Sequence, residues 1–288
     1  MTSNFAVFIL SHGRPDNVKT YNTLRSQGYT GKIYILVDDL DKTADQYIKN
    51  YKEQVIIFDK ASAKKITDSA DNFEKTNSVI YARNQNFVIA KEMGLDYFLQ
   101  LDDDYSSFGY AFDHENQYVR NDIKTKRMDE IINIYLRFLV DSNIDCVAFA
   151  QGGDFIGGEN SSVSKNHIKG KIKRKAMNSF FCSVKRPFQF IGRMNDDVNT
   201  YITLGNKGKT FFTAAHVRLE QQDTQKSAGG LTDMYLEMGT YVKSFYTVML
   251  APSCTKIREM GVTNKRLHHS IDWKCAVPMI LKEEVRKP

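Results

Sequence analysis

Gly94-Leu95-Asp96-Tyr97-Phe98-Leu99-Gln100-Leu101-Asp102-Asp103-Asp104-Tyr105 is the stretch that organises this chain. Residues 97–101 form a short apolar, aromatic-rich run, which predicts a buried strand. The run stops on three consecutive carboxylates. Three like charges in a row cannot all be buried unless something offsets them. A divalent cation bound to a diphosphate would do so, because hard cations take carboxylate and phosphate oxygens together. A solvated acidic turn is the plainer reading of an isolated Asp-Asp-Asp. Its place after a core strand favours a ligand role, since ligands of open α/β sheets gather at strand carboxyl ends.

Upstream, residues 5–10 (FAVFIL) predict a first buried strand running into Ser11-His12-Gly13-Arg14-Pro15-Asp16. Asp16 is placed to cap a short helix carrying Val18, Tyr21, Asn22 and Leu24 and ending before Gly28. Residues 32–37 predict a second strand, ending on Asp38, Asp39 and Asp41, and 54–58 a third, with a helix over 45–51 between them. Residues 60–75 are polar and irregular, as a surface excursion would be. Helical spacing returns over 78–93, with Val79, Ile80, Phe87, Val88, Ala90 and Met93 as the apolar positions. Strands and helices alternating at these lengths imply an α/β fold with a mostly parallel, three-layer sheet.

Downstream, residues 129–140 predict an amphipathic helix with Ile131, Ile132, Tyr135, Leu136, Phe138 and Leu139 on its apolar face. Strands are expected over 146–150, 180–184 and 210–216, and a helix over 196–204. A glycine-rich loop covers 152–158. The segment 161–175 is strongly basic, and 221–230 lacks periodicity, as a mobile lid would. Thr232 is placed to cap a helix through Phe245. No internal repeat or clean linker divides the chain, so one continuous domain over residues 1–288 is expected.

The totals are those of an ordinary globular protein: 288 residues, 42% hydrophobic and 26% charged. No run approaches the ~20 apolar residues of a membrane span, and the first residues lack a charged segment followed by an apolar one. A soluble, cytoplasmic protein without a membrane partner is the expectation. Cys146, Cys182, Cys254 and Cys275 are far apart in sequence and read as reduced, mostly buried thiols. The net charge of +6 permits a nucleic-acid partner without requiring one. Oligomeric state is not legible.

A parallel sheet would bring three polar clusters to one edge: Ser11, His12 and Arg14 after the first strand, Asp38 and Asp39 after the second, and Asp102–Asp104 after a later one. Such an edge offers carboxylates for ribose hydroxyls, an arginine for phosphate and further carboxylates for a metal. Neither Gly-x-Gly-x-x-Gly nor Gly-x-x-x-x-Gly-Lys-Ser/Thr occurs, which argues against a dinucleotide fingerprint or P-loop.

Two features together resemble a GT-A type nucleotide-sugar glycosyltransferase. One is the apolar strand ending in Asp102-Asp103-Asp104. The other is Gly192-Arg193-Met194-Asn195-Asp196-Asp197-Val198-Asn199, an acidic pair opening a helix. The family usually has Glu-Asp there, so Asp196 is a conservative departure. With ILSHGRP, ARNQN, LQLDDDY and GRMNDDVNTYITLGNKG, the chain more narrowly resembles the phage TET-associated glycosyltransferases, which decorate hydroxymethylated pyrimidines in DNA.

The resemblance implies a Rossmann-like donor half over about residues 1–110 and an acceptor half, with a smaller sheet, over about 111–288. It implies a UDP-sugar as donor and manganese or magnesium as cofactor. Asp104 would bind the metal, and Asp102 would share it or meet the ribose. Ser11, His12, Arg14, Asp38, Asp39 and Asp103 would line the nucleotide-sugar site, with Arg83 and Asn84 from the helix that precedes the acidic strand. Asp197, ahead of Asp196, would be the general base of an inverting hexosyl transfer. Helix capping is the bland reading of that pair. His216 would complete the metal shell, with His268 and His269 as rivals. Lys169, Lys171, Lys173, Arg174, Lys175 and Arg193 would track DNA carrying 5-hydroxymethylcytosine, and Phe188, Phe190 or Tyr105 would stack on a flipped base. Otherwise the basic run is a solvated face. The same fold can instead modify a polysaccharide, lipid or protein. A metal-dependent nuclease and a non-catalytic DNA- or nucleotide-binding protein are the competing classes, and the Asp102-x-Asp104-x-Ser106 spacing also recurs in haloacid dehalogenase-type phosphatases, on the first strand of the domain.

Overall fold

The apolar runs of the N-terminal half lie side by side because each needs cover on two faces. In the computed structural model, which describes residues 4–72, 77–172, 174–221, 240–260 and 265–276, β1 (Phe5–Leu10), β2 (Ile33–Asp38), β3 (Val55–Phe58) and β4 (Tyr97–Asp102) are adjacent in the order β3-β2-β1-β4, and each pair is parallel. Along β1 the side chains alternate between two cores. Ala6, Phe8 and Leu10 join one, Val7 and Ile9 the other. A strand buried on both faces has no polar side to show, which is why it reads as an unbroken apolar run.

Helices supply the two covers. α4 (Ile80–Glu92) and α7 (Asp196–Gly205) pack on one face, through Ile80, Phe87, Val198 and Ile202 among others. On the other lie α1 (Lys19–Ser26), α2 (Ala44–Tyr51) and α5 (Met128–Asp141), through Leu24, Tyr47, Ile131 and Leu139. Each such side chain contributes about 1.5–3 kcal/mol when fully buried.

The sheet then continues through β8 (Ser179–Ser183), β7 (Cys146–Gln151), β9 (Phe211–Gln221), β5 (Tyr105–Phe112) and β6 (Tyr118–Lys124). β8 is antiparallel to both β4 and β7, and β7 is parallel to β9, so β4, β7 and β9 run the same way. β10 (Thr255–Met260) and β11 (Arg266–Ile271) form a separate two-stranded sheet beside the helix Thr240–Leu250. Among the described residues, no helix is long and apolar enough to cross a membrane.

Several local expectations change. Asp16 does not cap α1, whose flanking residue Val18 makes no side-chain cap; its carboxylate accepts from Asn50 instead. The excursion after β3 begins with a helix, α3 (Lys60–Lys65), because Asp59 accepts from the Ala61 N–H and buries Ala63 beneath it. The basic segment likewise opens with α6 (Ser162–Ile168), capped by Ser161. β9 runs on past His216 to Gln221. The last long helix continues beyond Phe245 to Leu250, while Thr232 lies outside the described residues. β5 and β6 give no clear apolar signal, since polar Ser106, Arg120 and Lys124 interrupt them.

α1 turns a polar face inward. Thr20 donates to the Asp102 carbonyl at 2.6 Å and accepts from the Tyr105 N–H at 3.0 Å. The Gln27 amide donates to the carbonyls of Phe108 and Thr125 and accepts the Phe108 N–H at 2.8 Å. These bonds brace the acidic turn and the strand leaving it. Gln27→Leu keeps the size and strands those buried groups, so it is expected to lower stability by about 1–3 kcal/mol. Urea denaturation measures this, and an unchanged midpoint would refute the bracing role.

Candidate active site

The parallel register sets Leu10 opposite both Leu36 and Asp102, so β1, β2 and β4 end along one edge. There the side chains sort into those held inward and those left facing out. Asp38 is held: its Oδ2 lies 2.9 Å from His12 Nδ1 and 3.2 Å from Lys60 Nζ. Burial opposes its charge, but these partners outweigh burial and leave its carboxyl below the usual range. The hydrogen bond to Asp38 in turn raises the His12 imidazole, against the effect of burial. Asp41 secures the same turn by accepting the Gly13 N–H at 2.7 Å. Asp39 is exposed and accepts from the Lys60 N–H.

The acidic triplet splits into three roles. Asp103 points inward, accepting from Ser11 Oγ at 2.5 Å and Arg14 Nη1 at 3.2 Å. Burial pushes its carboxyl up to about 6, although Arg14 and Ser11 pull the other way. Ser11, Arg14 and Asp103 are therefore tied to one another, with Ser11 also bonded to the Tyr47 hydroxyl. Ser11 and Asp103 are buried in this cluster, while the Arg14 side chain keeps 28% of its surface exposed at the edge. Asp104 accepts from Gln221 Nε2 at 3.2 Å through one oxygen, while its Oδ1 is buried with no hydrogen-bond partner among the described residues. Burial and the charge of Asp102 both push the Asp104 carboxyl upward. A buried carboxylate oxygen lacking a donor, beside a second carboxylate, is a place deficient in positive charge.

Arg83 joins the triplet to the acids of α7. The side chain is 4% exposed, with Nη1 2.5 Å from Asp196 Oδ2 and Nη2 3.3 Å from Asp102 Oδ1. Its guanidinium lies over the rings of Phe180 and Phe190. Burial works against the charge, but Asp196, Asp102 and Asp197 outweigh it and hold the group cationic. Burial likewise pushes Asp196 upward, to about 6, against the pull of Arg83. Asp196 is thus committed to Arg83. Asp197, 8% exposed, has one oxygen on the Val198 N–H at 2.7 Å.

The start of α7 is held from several directions. Gly192 has φ +85°, and a Cβ there would come within 2.5 Å of Asn199 Nδ2, so the turn requires glycine. Asn195 takes a left-handed conformation and donates to the Lys243 carbonyl and to Thr247 Oγ1. Asn84, expected at the nucleotide, instead pairs its amide with both the N–H and the carbonyl of Phe190. Arg193 makes a two-point pair with Asp71, which Tyr246 also contacts. At 1% exposure, Arg193 has no face for a DNA phosphate.

Other expected site residues fall elsewhere. His216 lies five residues before Gln221 on β9, roughly 15–17 Å of strand from Asp104. It packs edge-on to His167, which stacks on Phe112, so it cannot complete a shell at the triplet. Of its rivals, His269 sits 3.4 Å from Asn195 Nδ2, at the N-terminus of α7. Burial, with His268 and Lys243 nearby, lowers its imidazole to about 4. His268 bonds back to the His269 carbonyl. Among the described residues, no three His, Cys, Asp or Glu side chains cluster around a metal position.

Lys175 is buried and paired with Asp154, which removes it from any phosphate-tracking surface. Arg174 lies over the Phe212 ring. Lys169 and Lys171 are exposed, and Lys173 lies outside the described residues. Phe188, Phe190 and Tyr105 are core residues, 5% exposed or less, and cannot stack on a base. Of the expected lid, Gln221 belongs to β9 and residues 222–230 lie outside the described residues. Sequence reading missed Gln221, Asn195 and Asp71; the left-handed Asn195 after a glycine turn had a legible signal, a loop of Gly-x-x-Asn before an acidic helix start.

The bridge has a measurable signature. Arg83→Met leaves Asp196 buried without its cation and is expected to destabilise the fold by about 3–5 kcal/mol. In a double-mutant cycle with Asp196→Asn the losses should be strongly non-additive. Additive losses in chemical denaturation would refute the coupling.

No curated protein matches the sequence. Among solved structures, the chain is similar to glucosyl-3-phosphoglycerate synthase from Mycobacterium tuberculosis in complex with Mg2+ and UDP, at 10% identity over 94% of this chain and 88% of that one, with a TM-score of 0.46. It is also similar to S. aureus TarS 1–349 in complex with UDP, at 10% identity over 75% of this chain and 60% of that one, with a TM-score of 0.43. Likeness this loose assigns no residue or ligand. A family model is more telling: TET-Associated Glycosyltransferase matches residues 5–230, which takes in the acidic triplet, Arg83 and the start of α7. The chain belongs to the TET-associated glycosyltransferase family, and is a glycosyltransferase.

Proposed function

We propose that this enzyme moves a hexosyl group from a UDP-sugar to the hydroxyl of 5-hydroxymethylcytosine in DNA, with a divalent metal and with inversion at the sugar carbon. The observation that carries the reading is the pairing of two sites through Arg83. One is a carboxylate pair, Asp102 and Asp104, with an orphaned buried oxygen; the other is an acid, Asp197, at a helix start fixed against it. Asp102 and Asp104 are the donor set a hard divalent cation prefers, and manganese or magnesium would be held there. When bound, the cation neutralises charge on the departing diphosphate.

The chain's own groups do the rest. His12 and Asp39, at the ends of β1 and β2, lie where the nucleoside would meet the sheet edge. Asp197 takes the proton of the hydroxymethyl group as its oxygen attacks the sugar carbon. The new carbon–oxygen bond forms on the face opposite the diphosphate as the bond to phosphate breaks, which inverts the centre. Asp196 is unsuited to that role because its charge is spent on Arg83. Family membership and the +6 charge support a DNA acceptor.

Hydroxymethylcytosine-containing DNA incubated with UDP-sugars and manganese should gain the mass of one hexose per modified base. Chelation should stop the gain. Asp197→Asn should slow transfer by about 10²–10⁴-fold while retaining metal-dependent UDP binding, and Asp104→Asn should lose that binding. Mass spectrometry and calorimetry report these outcomes. DNA strand cleavage instead would identify a nuclease, and UDP release without a mass gain in DNA would move the acceptor to another polymer.

A further inference from the structure

A loop with an apolar tip leaves the sheet at the edge that carries the acidic triplet and packs back on Phe112. β7 runs parallel to β9 and in the same sense as β4, so its carboxyl end at Gln151 opens on the edge that carries the triplet. The loop leaves from next to that site. A Cβ at Gly152 would lie 3.1 Å from Glu220 Oε2, and the next residue, Gln221, donates to Asp104. Two short 3-10 turns follow, Gly152–Phe155 and Gly158–Asn160. Phe155 is buried in a small cluster with Phe112, Tyr118 and Val163. Its neighbour Ile156 points the other way and is 81% exposed.

A single exposed isoleucine is ordinary on a protein surface. This one is held in place. Asp154 accepts the Gln151 N–H at 3.1 Å and pairs with buried Lys175, clamping the base of the loop. Gly157 and Gly158, both at positive φ, turn the chain back sharply behind Ile156. Ser164 Oγ then bonds the Gly158 carbonyl and fixes the turn to α6. On the same lobe, exposed Lys165, Lys169 and Lys171 have no carboxylate partner among the described residues, and Ile168 is 59% exposed between them.

We propose that Ile156 is a wedge for duplex DNA: it enters the base stack beside the hydroxymethylated pyrimidine and fills the gap left when that base turns out towards Asp197, while Lys165, Lys169 and Lys171 hold the neighbouring phosphates. The inference rests on the DNA acceptor proposed above. In a paired duplex the hydroxymethyl group lies within the major groove, whereas Asp102, Asp104 and Asp197 are recessed at a sheet edge. Bringing the two together requires unstacking, and apolar side chains flanked by cations are the usual means of holding a step open. Because the tip is braced, the cost of ordering it is met before DNA arrives.

The test compares one hydroxymethylcytosine oligonucleotide in three forms: single-stranded, fully paired, and paired with an abasic site opposite the modified base. Ile156→Ala should lower the ratio of paired-duplex to single-strand glycosylation by about tenfold, since it removes the wedge where unpairing is costliest. The abasic duplex should recover most of that loss, and Ile156→Leu should keep the ratio near that of the unaltered enzyme. A 2-aminopurine placed beside the target should brighten on binding the unaltered enzyme and stay dim with Ile156→Ala. Lys169→Ala with Lys171→Ala should flatten the salt dependence of duplex binding. An unchanged ratio in Ile156→Ala, or an equal loss on all three substrates, overturns the wedge and leaves the acceptor reading standing. No glycosylation of any form by the unaltered enzyme overturns both. Binding of phosphatidylglycerol vesicles through the same residues, without DNA affinity, would assign the patch to a membrane surface and overturn the proposal.

Discussion

A guanidinium buried among three carboxylates is the constraint on which the rest of this site depends. Arg83 touches Asp102 at the end of a strand and Asp196 at the start of a helix, more than ninety residues apart in sequence. Taken alone, a buried ion pair is weak support for a fold, because desolvating both charges offsets most of the attraction. Its value here is geometric. Without a cation between them, two acidic clusters at one sheet edge would repel, and their separation would drift. With Arg83 packed on Phe180 and Phe190, that separation is set by the core itself.

The same logic governs the neighbouring polar residues. Thr20 and Gln27 satisfy the backbone around the acidic turn, Asn84 clasps Phe190, and Asn199 and Asn195 pin the two sides of the α7 start. Each is a buried amide or hydroxyl whose partner is main chain, and main-chain groups left unpaired in an interior are costly. Asp104 can keep one buried oxygen without a donor among the described residues because so many groups around it have theirs.

How much of this was legible depended on which physical quantity the sequence encodes locally. Strands β1, β2 and β4 and the helix at Asp196 were readable because burial on both faces, or an acidic first turn, leaves a mark within a few residues. β5 and β6 were not, since edge and half-exposed strands carry charges that mask alternation. The roles of charged residues were harder still. Lys175 and Arg193 look like members of a basic surface, yet Asp154 and Asp71 draw them inside. His216 looked like a strand-end ligand because the apolar run stops there, while the ladder to β5 carries the strand five residues further. Ion pairs and ladder length are set by partners far along the chain, which no local window contains.

The clasp on α7 also bears on what counts as the working unit of this family. The family match ends at residue 230. Yet the Lys243 carbonyl and Thr247 hydroxyl receive Asn195, and Tyr246 reaches Asp71 beneath Arg193. The shared region therefore holds the acids, and a segment outside it holds the helix that presents two of them. A chain cut at residue 230 would keep the acids and lose the contacts that grip the helix presenting two of them.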